Sequence, residues 1–491
     1  MDKKRVMKPH AIMIAIPYQG HLNPFVHLAI KLASKGFAIT FVHFEHAHHL
    51  ISKSHVTNLN NNNNNNNDDD NEVDIFSEAR ISGLDIRYAT ISDGFPVEFD
   101  RNRNVEEYWE SLLHDFPSRV DEFVGNIIES MSEDRSLFHC LVADTYWTWS
   151  GMIAGKYNIV NVSFWTEPVM VFAICYYLDL LRENGHFPLT ENHDYTIDYI
   201  PGVKSFSTKD LMLYFREADP TKIIHKITFK AFEEVKKADF ILHNTVHELE
   251  PHTLSTLHEK HPTYAIGPVN FPTDQLTNIS KSMLSETDCT KWLDSKPPGS
   301  VLYVSFGSMV QTDSHVIEEI ARGLLSSEVN FIWAMRPSQV VNSINSTRAL
   351  PVGFFDDVKD RGLVVPWCNQ TTVLSNPAVG GFLTHCGWNS ILESMWCGVP
   401  MICYPVCYDQ PTNRKLVVDD WKIGIDLCDG VSVNGDEVAW KIKMLMSGKF
   451  SDGIRNEMKK FRSIMHNAST GDGSSERNFD QFVKDFKDKM N

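Results

Sequence analysis

The chain has 491 residues, 42% hydrophobic and 22% charged, a composition ordinary for a soluble globular protein and a length sufficient for two domains with separate cores. A net charge of −17 argues against nucleic acid and anionic membrane surfaces as partners, so a phosphate site has to be built locally from helix ends. The nine cysteines are odd in number, scattered and free of CxxC pairs, which suits a reduced, cytoplasmic compartment.

The apolar run at residues 11–16 is too short for a secretory signal, and residues 10–17 read as a strand. The longest later apolar run, residues 169–178, stops at Asp179 and is too short to span a bilayer. The first strand leads through Tyr18 and Gly20 to His21 and Pro24, after which Phe25, Leu28, Ala29 and Leu32 recur at helical spacing. His21 therefore falls at or just before a first helical turn. There the positive end of the helix dipole disfavours imidazolium and keeps the ring neutral, ready to accept a proton. A purely structural turn histidine fits the same pattern.

Further strand-like runs lie at residues 37–44, 84–91, 140–146, 161–165 and 240–244. Past the first of these, His43, His46, His48 and His49 match no standard metal-ligand spacing and read as a polar strand exit. Residues 60–71 are Asn and Asp only, and this low-complexity stretch is expected to be a disordered surface loop. The apolar residues 140–143 end at Asp144, which points its carboxylate into the crevice beyond the strand ends, where α/β sheets bind ligands. Helix capping is the other role open to Asp144. Thr166 and Glu167 stand just past the strand at 161–165.

A second series of strands follows at 301–306, 331–335, 363–367, 381–384 and 401–404. Both series alternate with helical stretches, which argues for parallel sheets covered on both faces. The implied organisation is an N-terminal domain of residues 1–267, a Pro-, Asn-, Ser- and Thr-rich linker at 268–289, a C-terminal domain at 290–468 and a tail at 469–491. Phe479, Phe482, Val483 and Phe486 make that tail an amphipathic helix.

Residues 367–410 are the densest in chemistry. The segment THCGWNSILE reads as a strand to His385, a break at Gly387, then a helix capped by Asn389 or Ser390. The unpaired N–H groups of such a helix end suit a diphosphate, with His385 and Ser390 adding side-chain donors. Trp367 offers a face to a base, Glu393 an acceptor for ribose hydroxyls, and Asp409 and Gln410 partners for sugar hydroxyls. On residue types alone, the run also reads as a core segment of an ordinary α/β domain. Cys403 and Cys407 read as core thiols. No GxGxxG, Walker A or GxSxG segment is present, which removes the usual anchors of a dehydrogenase, a P-loop enzyme and an α/β-hydrolase.

This run closely resembles the donor-binding box of plant secondary-product UDP-sugar glycosyltransferases. Trp367, Gln370, His385, Gly387, Trp388, Asn389, Ser390, Glu393, Asp409 and Gln410 stand where that box has them; Cys368 and Asn369 replace its usual small residue and Pro. The resemblance implies an α/β GT-B fold, two Rossmann-like domains with parallel sheets facing across a cleft, and a tail helix returning to the N-terminal domain. It implies UDP contacts from Ser308, Trp367, Cys368, Gln370, His385, Gly387, Asn389, Ser390 and Glu393, and sugar contacts from Thr166, Trp388, Asp409 and Gln410. The segment GHLNP looks like the family's catalytic-histidine segment, with His21 as general base and Asp144 orienting its ring. Glu167 stands where relatives more usually carry a small residue, and narrows or polarises the sugar pocket.

The reaction so implied is inverting transfer of glucose from UDP-glucose to a hydroxyl of a small lipophilic plant metabolite, phenolic or terpenoid, giving a β-glucoside. Glucose is favoured because Gln410 and Trp388 match glucose-using relatives. UDP-glucose is then a co-substrate, no metal or other cofactor is required, and the partners are two small molecules bound by a monomer. Another UDP-sugar as donor, or a non-catalytic UDP-sugar-binding protein, are the alternatives. Candidate acceptor walls are the aromatics Tyr18, Phe95, Trp109, Phe116, Trp147, Phe172 and Tyr176, each of which core packing would claim by default.

Overall fold

The computed structural model describes residues 7–50, 52, 75–101, 103–131, 137–189, 194–216, 219, 221–271, 286–336, 339, 349–428 and 432–490. The Asn-rich stretch at 60–71 and most of the expected linker lie outside the described residues.

Strands β1 (Lys8–Ile14), β2 (Ala38–Phe44), β3 (Ile86–Ile91), β4 (Leu137–Asp144) and β5 (Val160–Trp165) come first. A short antiparallel pair, β6 (Thr196–Ile197) and β7 (Phe206–Ser207), precedes β8 (Phe240–His243) and β9 (Thr263–Ala265). The second half supplies β10 (Val301–Ser305), β11 (Asn330–Ala334), β12 (Gly362–Val365), β13 (Val379–Thr384), β14 (Met401–Cys403) and β15 (Gly424–Asp426). Two parallel sheets result, ordered β3-β2-β1-β4-β5-β8-β9 and β12-β11-β10-β13-β14-β15. This is the two-Rossmann GT-B arrangement that the resemblance implied.

The strands are buried on both faces, which is why they are near-continuous apolar runs rather than alternating ones. Ile12 and Ile14 pack into one cluster while Ala11 and Met13 pack into another on the opposite face of the sheet. In the second sheet Val301 and Tyr303 belong to the same cluster as Ile12, whereas Leu302 and Val304 face a third. One apolar core thus continues from sheet to sheet.

Sequence reading misses β9, β15 and the β6–β7 pair, all of two or three residues and too short to show periodicity. It places β12 too far along: the strand ends at Val365 because Pro366 has no N–H for the ladder, and Trp367 lies beyond it. The tail helix, Ser474–Lys489, lays Phe479, Phe482 and Phe486 against Phe37, Phe240 and Tyr264 of the first half. Each such aromatic burial stabilises the docked tail by about 1.5–3 kcal/mol. Ser475 and Asn478 also donate to the Gly267 and Ala265 carbonyls at 2.5 and 2.9 Å. Among the described residues no helix is long and apolar enough to cross a membrane.

In both sheets the winding direction reverses between two adjacent strands, β1 and β4 in the first and β10 and β13 in the second. Ligands of open α/β sheets bind outside the carboxyl ends of the strands at these reversal points. At these points His21, Ser308 and His385 follow β1, β10 and β13, and Asp144 is the last residue of β4.

Candidate active site

His21 sits in the first turn of the helix Gln19–Ser34, and Asp144 is the last residue of β4. Their parent strands are register neighbours, Ile14 opposite Ala143, so the two side chains meet across the reversal point. His21 Nδ1 is 2.8 Å from Asp144 Oδ2 and 3.1 Å from Thr166 Oγ1. Both partners occupy Nδ1, which leaves Nε2 as the ring nitrogen available to the cavity that His21 lines. Asp144 is fully buried; its other oxygen accepts the Tyr146 N–H at 3.1 Å, which fixes the carboxylate plane. The cap role is thus a local turn, compatible with the histidine contact.

Burial lowers the proton affinity of His21, but the Asp144 charge, its hydrogen bond and the Asp409 carboxylate outweigh that cost and hold the pKa above its ordinary 6.5. A buried counter-charge at hydrogen-bond distance thus acts on the ring in the direction opposite to the helix dipole that the sequence reading considered.

The second half forms the opposite wall. After β13 the backbone turns through Cys386 in the left-handed region, φ 66°, so that the helix opens at Trp388 with Gly387 as its cap residue. Asn389 and Ser390 therefore lie inside the first turn rather than capping it, and their side chains are released for other partners. A Cβ on Gly387 would meet His385 Nε2 at 2.5 Å, and one on Gly307 would meet the same atom at 2.7 Å. The His385 ring is thus held between the two turns that end β10 and β13. Burial pushes its pKa down to about 4, so it faces the cavity as a neutral imidazole. Arg336 was not singled out from the sequence. Its guanidinium donates to the Gly307 and Val310 carbonyls at 2.9 and 2.7 Å and so shapes the loop that carries Ser308.

Gln370 donates to Ser390 Oγ at 2.9 Å and to Glu393 Oε2 at 2.6 Å, tying Trp367's loop to the helix of the opposite turn. Burial pushes the Glu393 carboxyl up to about 7, against the stabilising Gln370 bond. The Cys368 thiol turns inward to Tyr303 Oη at 3.6 Å, leaving its backbone to the cavity. Asn369 caps the helix Gln370–Ser375 through the Thr372 N–H at 2.9 Å, which accounts locally for its departure from Pro.

At the junction of the halves, Gln410 Oε1 accepts the Val406 and Cys407 N–H groups at 2.8 and 2.9 Å and its amide nitrogen donates to Cys407 Sγ at 3.3 Å, so its second N–H is what it can offer a ligand. Burial raises Asp409 to about 6, against an Asn413 bond of 2.6 Å and the His21 charge. Trp388 Nε1 donates to the Asn244 carbonyl and Asn389 Nδ2 to the Gly20 carbonyl, both at 2.8 Å. These two residues therefore bridge the halves as well as line the cleft.

The cleft encloses about 670 Å³ and brings together His21, Thr166, Ser308, Trp367, Cys368 and Gln370. His385, Gly387, Trp388, Asn389, Ser390, Glu393, Asp409 and Gln410 line it too. Of the expected acceptor walls, Tyr18 and Trp109 line it, their rings 6.0 Å apart. The other five are corrected. Phe116 and Trp147 are core residues stacked on Phe44, and Phe172 is packed among Trp165, Phe232 and His243. Phe95 lies on Phe99 at 4.2 Å, and Tyr176 sits outside the cleft beneath Lys236. Aromatic type alone does not separate a wall from a core. The walls missed are Tyr146, Tyr214, Val105, Ile223, Ile227 and Tyr408. Spacing carries one signal for them: Ile223 and Ile227 are one turn apart on a helix face.

The sequence cluster of histidines disperses. His43 Nδ1 meets the Phe44 carbonyl at 3.1 Å, His46 meets Asp93 at 3.1 Å and His48 meets Tyr88 Oη at 3.0 Å. Among the described residues no group of three or more His, Cys, Asp or Glu is arranged to hold a metal ion.

Comparison with known proteins shows the family. A family model described as UDP-glucoronosyl and UDP-glucosyl transferase matches residues 221–459. The chain is 50% identical to UDP-glycosyltransferase 86A1 of Arabidopsis thaliana, over 100% of this chain and 97% of the relative. It is 32% identical to a 7-deoxyloganetin glucosyltransferase of Catharanthus roseus, over 98% and 97%. Among solved structures, a UDP-glucose: anthocyanidin 3-O-glucosyltransferase in complex with UDP shares the fold, with a TM-score of 0.80 at 24% identity over 99% of this chain and 100% of that one.

Proposed function

The chain belongs to the plant UDP-glycosyltransferases, family 1 glycosyltransferases of GT-B fold, and on that premise we propose that it transfers glucose from UDP-glucose to a hydroxyl of a small lipophilic metabolite with inversion. The observation that carries this reading is the His21–Asp144 pair, 2.8 Å apart, with Nε2 free toward a cleft whose far wall is a helix N-terminus. His21 Nε2 takes the proton of the acceptor hydroxyl as its oxygen attacks the anomeric carbon. The bond from that carbon to the β-phosphate oxygen breaks, and UDP leaves with the electron pair. Attack from the face opposite UDP turns an α-linked donor into a β-glucoside.

Asp144 keeps Nε2 as the accepting nitrogen and stabilises the imidazolium once formed. The first-turn N–H groups at Trp388–Ser390 and the neutral His385 serve the charge growing on the diphosphate. Relatives named as glucosyltransferases support glucose as the donor and small organic molecules as acceptors. A non-catalytic UDP-sugar-binding protein would have no use for a buried base pair. UDP release with and without an acceptor panel of phenolics and terpenoids tests the reading. Acceptor-dependent release supports it, and binding without turnover on any acceptor contradicts it.

Two expectations follow from the site chemistry. The Gln410 amide nitrogen donates to Cys407 Sγ and keeps a second N–H for a ligand beside Asp409, and a buried polar group left unpaired by an epimer costs about 1–3 kcal/mol. UDP-glucose is expected to exceed UDP-galactose by about tenfold or more in kcat/KM, and Gln410→Ala to remove most of that gap. Gln410→Glu keeps the oxygen that braces Val406 and Cys407 but replaces the donor, so it should narrow the gap without loosening the loop. Equal use of both sugars by the unaltered enzyme contradicts this.

With helix-end N–H groups and His385 facing the diphosphate, exhaustive EDTA treatment is expected to change kcat by less than about twofold, under about 0.4 kcal/mol of barrier. Loss of activity restored by Mg²⁺ or Mn²⁺ contradicts it.

A further inference from the structure

One corner of the cleft beside the base gathers three polar side chains of the first half. There the Tyr146 hydroxyl lies 3.1 Å from Tyr214 Oη and 3.5 Å from Glu167 Oε2, and all three residues line the cleft. The Tyr146 ring packs edge-on against His21, with centroids 6.1 Å apart. Glu167 stands just before the helix Val169–Tyr176, where a carboxylate ordinarily caps the first N–H groups. That role is already filled: Glu250 accepts from the Val169 and Met170 N–H groups at 3.0 and 2.6 Å. Glu167 is left with one long hydrogen bond and its remaining acceptor capacity directed to the cleft.

We propose that Glu167, with Tyr146, selects the acceptor by hydrogen-bonding a second hydroxyl carried next to the one that His21 activates, so that vicinal diols and ortho-diphenols are preferred and carboxylate-bearing acceptors are turned away. This rests on the glycosyltransferase reading above. A mono-hydroxy acceptor leaves the carboxyl facing an apolar group, which costs it the partner that the diol supplies. A carboxylate acceptor brings negative charge into the corner that already disfavours an ionised Glu167, toward Asp144 and Asp409. Burial, with the charges of Asp409 and Asp144, already holds Glu167 well above the ordinary carboxyl range. The site therefore resists more negative charge.

The test is kcat/KM with UDP-glucose for a phenol, the matching ortho-diphenol and the matching ortho-hydroxybenzoate, in the unaltered enzyme, Glu167→Ala and Glu167→Gln. The unaltered enzyme is expected to prefer the diphenol over the phenol by about tenfold or more, expressed in KM because the second hydroxyl does not react. Glu167→Ala should bring the two together. Glu167→Gln should keep part of the preference and still use the hydroxybenzoate poorly, because the carboxyl it replaces already resists ionisation and Asp144 and Asp409 remain. Calorimetric UDP binding reports whether each variant keeps a folded donor site, and the isosteric Gln variant carries the comparison if the Ala variant does not. Transfer to the phenol with no preference for the diphenol, or an equal fall for both acceptors in the variants, overturns the role of Glu167 alone. Absence of transfer to every acceptor overturns the glycosyltransferase reading itself.

Discussion

Replacing His21 by alanine is expected to lower kcat for an alkyl alcohol acceptor by about 10²–10⁴-fold, or roughly 2.7–5.5 kcal/mol of barrier, while UDP binding stays near the unaltered value. The loss reflects where the proton goes. An unactivated alcohol holds its proton until a base removes it during attack, and Nε2 of His21 is the ring nitrogen left free beside the cleft. A phenol of low pKa needs less help, so the deficit should shrink as acceptor acidity rises. The residues expected to hold UDP line the opposite wall, which is why calorimetric affinity for UDP should be preserved. Retention of half the unaltered rate with an alkyl alcohol excludes His21 as the base.

Asp144→Asn is expected to cost a comparable factor, about 10²–10⁴-fold in kcat, and to move the pH profile in a direction fixed by the electrostatics. In the unaltered enzyme burial lowers the His21 pKa, while Asp144 and, more weakly, Asp409 raise it; the balance lies above 6.5. The base works when unprotonated, so kcat/KM should rise with pH through a midpoint above 6.5. Removing the Asp144 charge leaves the burial cost dominant. The midpoint should therefore fall, leaving a slower enzyme that keeps its residual activity to lower pH. A profile and kcat both equal to those of the unaltered enzyme would reduce Asp144 to the turn it makes with Tyr146.

Much of this site was legible because its chemistry is local in sequence. The donor wall spans residues 367–410, and strand, turn and helix there follow from apolar runs broken by Gly387. The His21 and Asp144 pairing is 123 residues apart and was legible only through the family resemblance; the structure explains it, since β1, which leads into the His21 helix, lies beside β4, which Asp144 ends. Less legible was anything decided by packing. Phe116 and Trp147 are the same residue types as Tyr18 and Trp109 to a sequence reader, and only the fold sends one pair to the core and the other to the cleft. The upward pull of Asp144 on the His21 pKa was not legible, because the dipole is visible in sequence whereas a 2.8 Å contact is not. The fate of Glu167 depended on Glu250, more than eighty residues on, having taken the helix-capping role first.

The anomeric configuration of the product tests the central claim most directly. With UDP-α-glucose and an accepted hydroxyl compound, a single displacement assisted by His21 predicts a β-glucoside, formed in equal amount with UDP and lost together with UDP release in His21→Ala. An α-glucoside, or UDP release that proceeds equally without acceptor, would contradict it.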